Sequence, residues 1–412
     1  MVDAALSDSP AETGRRGTAP VLMIVHSYYE EDPRVRREAE ALVAAGHPVT
    51  VIGLRREGDP PQGDIAGVEL ELLNVQRHQG AGVLVYLREY LSFLVRSAWV
   101  AARLHRRRHF RLAQVHSLPD FLVFAAMPLR LTGVPLILDL HEAMPEFFKT
   151  RFPGAANPVT YRLLLLSERL SIAVATRVLT VNDAMCSRLL RLGVRPDKLT
   201  VVINSPSLGR FDATAHPTRA FREDGRLRLV YTGALTPTYE LDVALRALAA
   251  IAVRRPDLDV RLDLYGRGDS EDALRTLAAE LGLGERVVFH GRIPIEDVPR
   301  AVAEADIGLA PTRLDPFTHM TLSTKVYEYA AMRKTVVASR LPLIQESFPP
   351  DTVMAYEPGN EDEMTGAILA LADDAAERVA RIERTLEIVR ETSWEVASRP
   401  YLALVEQLSR SV

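Results

Sequence analysis

The chain contains one cysteine, Cys186, so no internal disulfide can form, and the paired thiolates that usually build a structural zinc site are absent. It has no excess of positive charge. A formal net charge of −4 argues against a protein that holds nucleic acid through its overall field. No apolar run is long and clean enough to span a bilayer, because the stretch 83–104 is broken by Arg88, Glu89, Arg96 and Arg103. An apolar leader core is also missing from 1–20, which is rich in Ala, Ser, Asp, Gly and Pro and reads as a mobile tail. No Walker loop is present, and Gly266-Arg267-Gly268 lacks the third glycine of a dinucleotide fingerprint. Together these absences predict a soluble cytoplasmic protein that binds no nucleic acid and touches the inner face of a membrane at most peripherally.

What is present is ordinary globular material, 47% hydrophobic and 25% charged over 412 residues, enough for two cores. Short runs rich in Val, Ile and Leu alternate with segments of helical period, the pattern of parallel strands covered by helices on both faces. In the first half the runs are 21–25, 49–54, 112–116, 136–140, 178–181 and 199–203. In the second they are 227–232, 259–265, 286–290, 307–311 and 335–339. The predicted organisation is a tail at 1–19, a first domain at 20–205 plus 394–412, a linker at 206–225 and a second domain at 226–393. Two such sheets facing one another leave a cleft beyond their carboxyl ends, where ligands bind in this class.

The polar residues worth testing collect in the loops after the strands. Ser323 can cap a helix starting at Thr324, whose free amides and dipole suit a phosphate; Lys325 adds a full charge, and Glu328, one turn on, could accept a ribose diol. A capped helix with Lys325 and Glu328 in water is the plain alternative. His141 closes a strand between Asp139 and Glu142. Asp257-Leu258-Asp259 resembles an acidic metal-holding pair but begins a strand rather than ending one, so no metal is assigned. Arg103, Arg106, Arg107 and Arg108 close an amphipathic segment with Phe93 and Trp99, a possible membrane contact, although cations at a helix end are expected from the dipole alone.

The second half, from Tyr231-Thr232-Gly233 through Gly266-Arg267-Gly268, Phe289-His290-Gly291 and 305–311 to Lys325-Val326-Tyr327-Glu328-Tyr329, resembles the donor domain of the retaining glycosyltransferases of family four. The first half, with 32–38, 46–51, Val115-His116-Ser117, Asp139-Leu140-His141-Glu142 and Thr180-Val181-Asn182, resembles their acceptor domain. The resemblance implies an α/β GT-B fold, two doubly wound Rossmann-like domains facing a central cleft. It implies a metal-independent enzyme with no cofactor beyond its co-substrate, a nucleotide diphosphate sugar. In these terms His141, Lys325 and Glu328 are catalytic; Gly233, Ser323, Thr324, Lys325 and Arg267 hold the donor phosphates. Glu328, Gly291, Arg292 and Ile293 hold ribose and base. Tyr28, Tyr29, Arg34, His116 and Glu142 meet the acceptor.

Three positions depart from the family pattern. An arginine and a lysine that relatives use for the diphosphate are Ala234 and Tyr239 here, and the first glutamate of the family's motif is Met320. Lys325, Arg267 or Arg313 could replace the charge. Asp315, Thr318 and His319 are the nearest substitutes for Met320 at the donor sugar, although Asp315 is also well placed as a loop cap. The departures leave two other readings open, a non-hydrolysing nucleotide-sugar epimerase and an inactive nucleotide-sugar-binding partner of a transferase. The nucleobase, sugar, acceptor and oligomeric state are unassigned.

Overall fold

A computed structural model describes residues 19–410 apart from 77, 79–81, 153 and 218; the rest of the predicted tail lies outside the described residues. The first sheet contains β1 (Val21–Ile24), β2 (Val49–Leu54), β3 (Gln62–Ile65), β4 (Val68–Leu73), β5 (Leu112–His116), β6 (Leu136–Leu140), β7 (Arg177–Thr180) and β8 (Leu199–Val201). Their order is β3-β4-β2-β1-β5-β6-β7-β8, parallel except for β3 against β4. The second sheet contains β9 (Arg226–Thr232), β10 (Asp259–Tyr265), β11 (Val287–Gly291), β12 (Ile307–Ala310), β13 (Thr335–Ser339) and β14 (Met354–Tyr356), ordered β11-β10-β9-β12-β13-β14.

Three of these strands, β3, β4 and β14, are not among the predicted runs. β4 alternates Val-Glu-Leu-Glu, and β3 is polar and largely exposed at the sheet edge, so neither carries the continuous apolar signal of a strand buried on both faces. β14 is three residues long and also lies at an edge.

Period-two alternation splits each central strand between two cores. Leu22 and Ile24 of β1 face a layer containing the helices Val83–Arg108, Pro158–Val174 and Asp183–Arg191. Val21 and Met23 face the helices Pro33–Ala44 and Trp394–Arg410. The last helix thus returns to the first sheet, burying Trp394, Tyr401 and Val405 there. In the second domain Leu229 and Tyr231 pack on the helix Leu241–Arg254, and Val230 packs on the helix Thr324–Ala331.

Strand order reverses direction between β1 and β5, and between β9 and β12. Ligand crevices in open α/β sheets form beyond the carboxyl ends at such points. Across the cleft between the domains, Arg36 pairs with Glu296 at 2.6 Å, Arg151 with Asp269 at 2.6 Å, and the Asn182 side-chain amide donates to the Met320 carbonyl at 3.0 Å.

Candidate active site

A cavity of about 190 Å³ lies between the domains. One wall comes from residues just past β6, β7 and β8, namely His141, Glu142, Asn182 and Asn204. The other comes from Tyr239, Thr312 and the start of the Thr324–Ala331 helix, with Ser323, Thr324 and Lys325.

The helix start presents its first-turn amides to this space, the positive end of the dipole. Ser323 does not cap it in the way the sequence predicts. Its hydroxyl makes no cap hydrogen bond and is buried without a partner, leaving a donor for something else at the helix end. Lys325 is buried, and its ammonium lies 4.0 Å from the centre of the Tyr239 ring and 5.2 Å from that of Tyr231. Among the described residues no carboxylate neutralises it within ion-pair distance. Tyr239 therefore holds the Lys325 ammonium by a cation–π contact.

This arrangement requires glycine beneath it. Gly233 has φ +146°, and a Cβ there would meet Lys325 Cε at 2.5 Å. Gly266, at φ +149°, would bring a Cβ within 1.7 Å of the Gly233 carbonyl oxygen. Backbone on backbone cannot yield as a side chain can, so Gly266→Ala is expected to destabilise the protein by at least about 2–3 kcal/mol. Denaturant unfolding of the purified variant checks this.

The opposite wall is organised by Asp139, at the end of β6 and fully buried. Its Oδ2 receives Arg34 Nε at 2.9 Å and lies 2.9 Å from His141 Nε2 and 3.1 Å from His116 Nδ1, while Oδ1 receives Arg34 Nη2 at 2.7 Å. Burial opposes the Asp139 charge, but Arg34 and the two imidazoles outweigh it and hold the carboxyl well below its usual range. Burial likewise disfavours the His141 imidazolium, but the Asp139 charge and hydrogen bond prevail and raise its pKa. Burial lowers that of His116, with Asp139 opposing. The outcome is a His141 more basic than an ordinary imidazole at the cavity, backed by a His116 less basic than one. The three acceptor and donor atoms are close enough together to surround one cation. Arg34 already sets a fixed positive charge on the same carboxylate, which disfavours a second.

Behind this network Arg34 also pairs with Glu38 at 3.1 Å, Glu38 accepts from Gln114 at 2.5 Å, and Gln114 accepts from Tyr401 of the last helix at 2.8 Å. Glu142 is half-buried at the cavity, and burial pushes its carboxyl up to about 7 from an ordinary 4.5, with His141 opposing. The folded state thus favours protonated Glu142. This contribution to stability is fully present below the ordinary glutamate value, and is lost as pH rises through about 7. Glu142→Gln is therefore expected to raise the melting temperature at pH 8 and leave it little changed at pH 4.5, as calorimetry at both values would show.

Glu328 is half-buried, with burial raising its pKa against the pull of Arg37, Lys325 and Arg210. Arg37 is the residue the sequence reading passed over. Buried on the Pro33–Ala44 helix, it donates to the Asn204 side chain, and burial lowers its pKa to about 10 with Glu328 opposing. In sequence it is one of three arginines in 34–37, indistinguishable from a solvated helix face.

Several candidates do not reach the cavity. Tyr29 is fully buried in the core of the first domain, and His116 and Arg34 are buried within the Asp139 network, so none of the three lines the cavity. Tyr28 lies under the Arg56 guanidinium, 4.4 Å from ring to Cζ. Asp315 is the loop cap: its Oδ1 accepts from the amides of Phe317 and Thr318 at 2.7 and 2.8 Å, and the residue does not line the cavity. Thr318 is buried with its hydroxyl donated to the Arg313 carbonyl. His319 is exposed outside the cavity lining, and Met320 contributes its carbonyl to Asn182. Arg313 donates to the Pro237 carbonyl at 3.2 Å, and Arg292 pairs with Glu31. Arg267 is exposed beside Gly291, and neither they nor Ile293 line the cavity. Asp257 and Asp259 are tied to Arg255 and Arg226.

The molecule can thus offer an anion a helix end, an uncompensated ammonium and a free hydroxyl, with a carboxylate-backed imidazole facing them. Comparison with known proteins gives this geometry a context. Residues 32–205 match the glycosyl transferase 4-like domain family, and residues 226–374 match the glycosyl transferases group 1 family. The chain is 25% identical over 282 residues to a D-inositol 3-phosphate glycosyltransferase from Pseudarthrobacter chlorophenolicus, a stretch covering 66% of each protein, or about two thirds of the relative's own length. In fold it is similar to the sucrose-phosphate synthase of Thermosynechococcus elongatus, with a TM-score of 0.78 at 18% identity, over 96% of this chain and 100% of the other. It is also similar to Anabaena HepE in complex with UDP-glucose, with a TM-score of 0.68 at 15% identity, over 94% and 99%.

Proposed function

Because the chain belongs to the group 1 glycosyltransferases with a glycosyl transferase 4-like first domain and a GT-B fold, we propose that it transfers a hexosyl-type sugar from a nucleotide diphosphate sugar to an acceptor, with retention of anomeric configuration and no metal. The observation that carries this reading is Lys325: a buried ammonium without a carboxylate partner among the described residues, at a helix start, on the wall facing His141.

The leaving diphosphate docks on the amides at Ser323 and Thr324, with the Ser323 hydroxyl and Lys325 completing its shell. These donors are already in place before charge develops, so little reorganisation is needed as the bond to the sugar breaks. His141, its basicity raised by Asp139, donates to the donor sugar and Glu328 accepts from the ribose. Glu142, with a pKa near neutrality, accepts from the incoming hydroxyl. The acceptor attacks from the face the diphosphate leaves, and the interdomain pairs keep water out of the cleft.

The test is to offer UDP-, GDP- and ADP-hexoses with glycan, lipid-linked and small hydroxyl acceptors, beginning with UDP-glucose, the ligand of the Anabaena fold relative. Release of nucleotide diphosphate that requires an acceptor, unchanged by EDTA, with a product anomer matching the donor, is the expected result. A new nucleotide sugar formed without acceptor would identify an isomerase instead. Binding without turnover across the panel would identify an inactive partner.

A further inference from the structure

The layer of helices on the Leu22 side of the first sheet is unusual in what it turns outward. Along the helix Val83–Arg108, Leu84, Leu91, Val95 and Trp99 fall on one stripe by their spacing of seven, four and four. They are 81, 48, 65 and 65% exposed. Along Pro158–Val174, Val159, Leu163, Leu166 and Leu170 form a second stripe, each at least half exposed. Both helices pack against the same 120–126 segment and share one core, so their outer stripes look out from the same side of the domain. Phe93, grouped with Trp99 in the sequence reading, belongs to the inner face and is fully buried.

The charges on these helices are sorted by sign. Each helix has one acidic residue, and both point inward: Glu89 is buried against His26 and His78, and Glu168 is buried against Arg188. The cations point outward. Arg88, Arg106 and Arg107 are exposed on the first helix, and Arg162 and Arg169 on the second. The outer surface of both helices therefore combines large apolar side chains with positive charge and no exposed carboxylate. Isolated exposed apolar residues need no explanation, but two such stripes on one side of the domain, both framed by arginine, do.

We propose that this face docks on an anionic lipid surface, with Trp99 and the leucines entering the headgroup boundary and the arginines meeting lipid phosphates. A second copy of the chain fits the face less well, because it would bring the same unpaired cations together. The pairing of signs favours a negatively charged partner, and the breadth of the apolar stripes favours a fluid one. No described helix is long and apolar enough to cross a membrane, so the contact is peripheral.

The full chain is to be mixed with vesicles of phosphatidylcholine alone or with about 30 mol % phosphatidylglycerol, and binding followed by flotation and tryptophan emission. Of the two tryptophans Trp394 is buried, so a blue shift reports on Trp99. Binding to the anionic vesicles at least about tenfold tighter than to neutral ones, weakened by salt, is the expected result. Leu91→Glu with Trp99→Glu, and separately Leu163→Glu with Leu166→Glu, should each lower it about tenfold or more. These sites are on the surface, and unchanged melting temperatures would show the variants folded. Equal binding to both vesicles, no binding, or full binding by both folded variants would overturn the proposal. So would self-association of the wild type that either variant abolishes, without vesicle binding. None of these readouts depends on sugar transfer.

Discussion

Replacing Lys325 by alanine is expected to lower kcat/KM for sugar transfer by about 10³-fold, or about 4 kcal/mol of transition-state stabilisation, with little change in the unfolding midpoint. The magnitude follows from where the charge sits. A buried ammonium without a carboxylate partner is costly for the empty protein and gains most when an anion arrives, and it gains more as the diphosphate takes on the charge of the breaking bond. If Ala234 and Tyr239 replace two cations of the family pattern, as the sequence resemblance implies, a larger share of the work falls on this one. Lys325→Arg is not expected to restore activity. The ammonium lies over the Tyr239 and Tyr231 rings, 4.0 and 5.2 Å from their centres, with its stem against Gly233, and a broader planar guanidinium cannot keep the same point contact with both rings above that glycine. Steady-state kinetics on both variants, with calorimetric titration of nucleotide diphosphate, checks the claim. Near wild-type turnover by the alanine variant would remove the phosphate site from this helix end.

The second large effect concerns Asp139. Asp139→Asn is expected to cost about 3–5 kcal/mol of stability, because the buried Arg34 loses a carboxylate that meets two of its donors, and to lower turnover by about 10³-fold or more. An amide in that place also loses the charge that raises the basicity of His141. A loss of folding alone could explain the first result, so His141→Ala supplies the control. His141 is partly open to the cavity and holds no other buried charge in place, and its removal should reduce turnover similarly with a much smaller shift in midpoint. If His141→Ala keeps full activity while Asp139→Asn merely unfolds, the network is structural and the imidazole has no part in the chemistry.

Much of this was readable before folding was considered. The central strands, the doubly wound pattern in each half and the helix beginning at Thr324 all follow from local apolar periodicity. His141 and Lys325 drew notice as polar residues at a strand end and a helix start, and the family resemblance is what gave them their expected roles. Other residues could not be placed this way. Arg34 and Arg37 sit on adjacent faces of one turn and look alike in sequence, yet one meets Asp139, 105 residues away, and the other meets Asn204, 167 away. Asp315 had two plausible roles, and only its own loop geometry, with two amides turned onto one oxygen, shows that it acts as a cap. The edge strands escaped because their pattern is half polar, as an edge permits.

Local pattern was therefore sufficient for the architecture, since burial on one or both faces repeats every few residues and leaves its mark on the chain. Which polar groups share the cavity, and which of them are spent on holding one another, was decided by packing. Such pairings join residues from separate strands and from both domains, and ionised groups buried together must find partners that no neighbouring residue in the chain can supply.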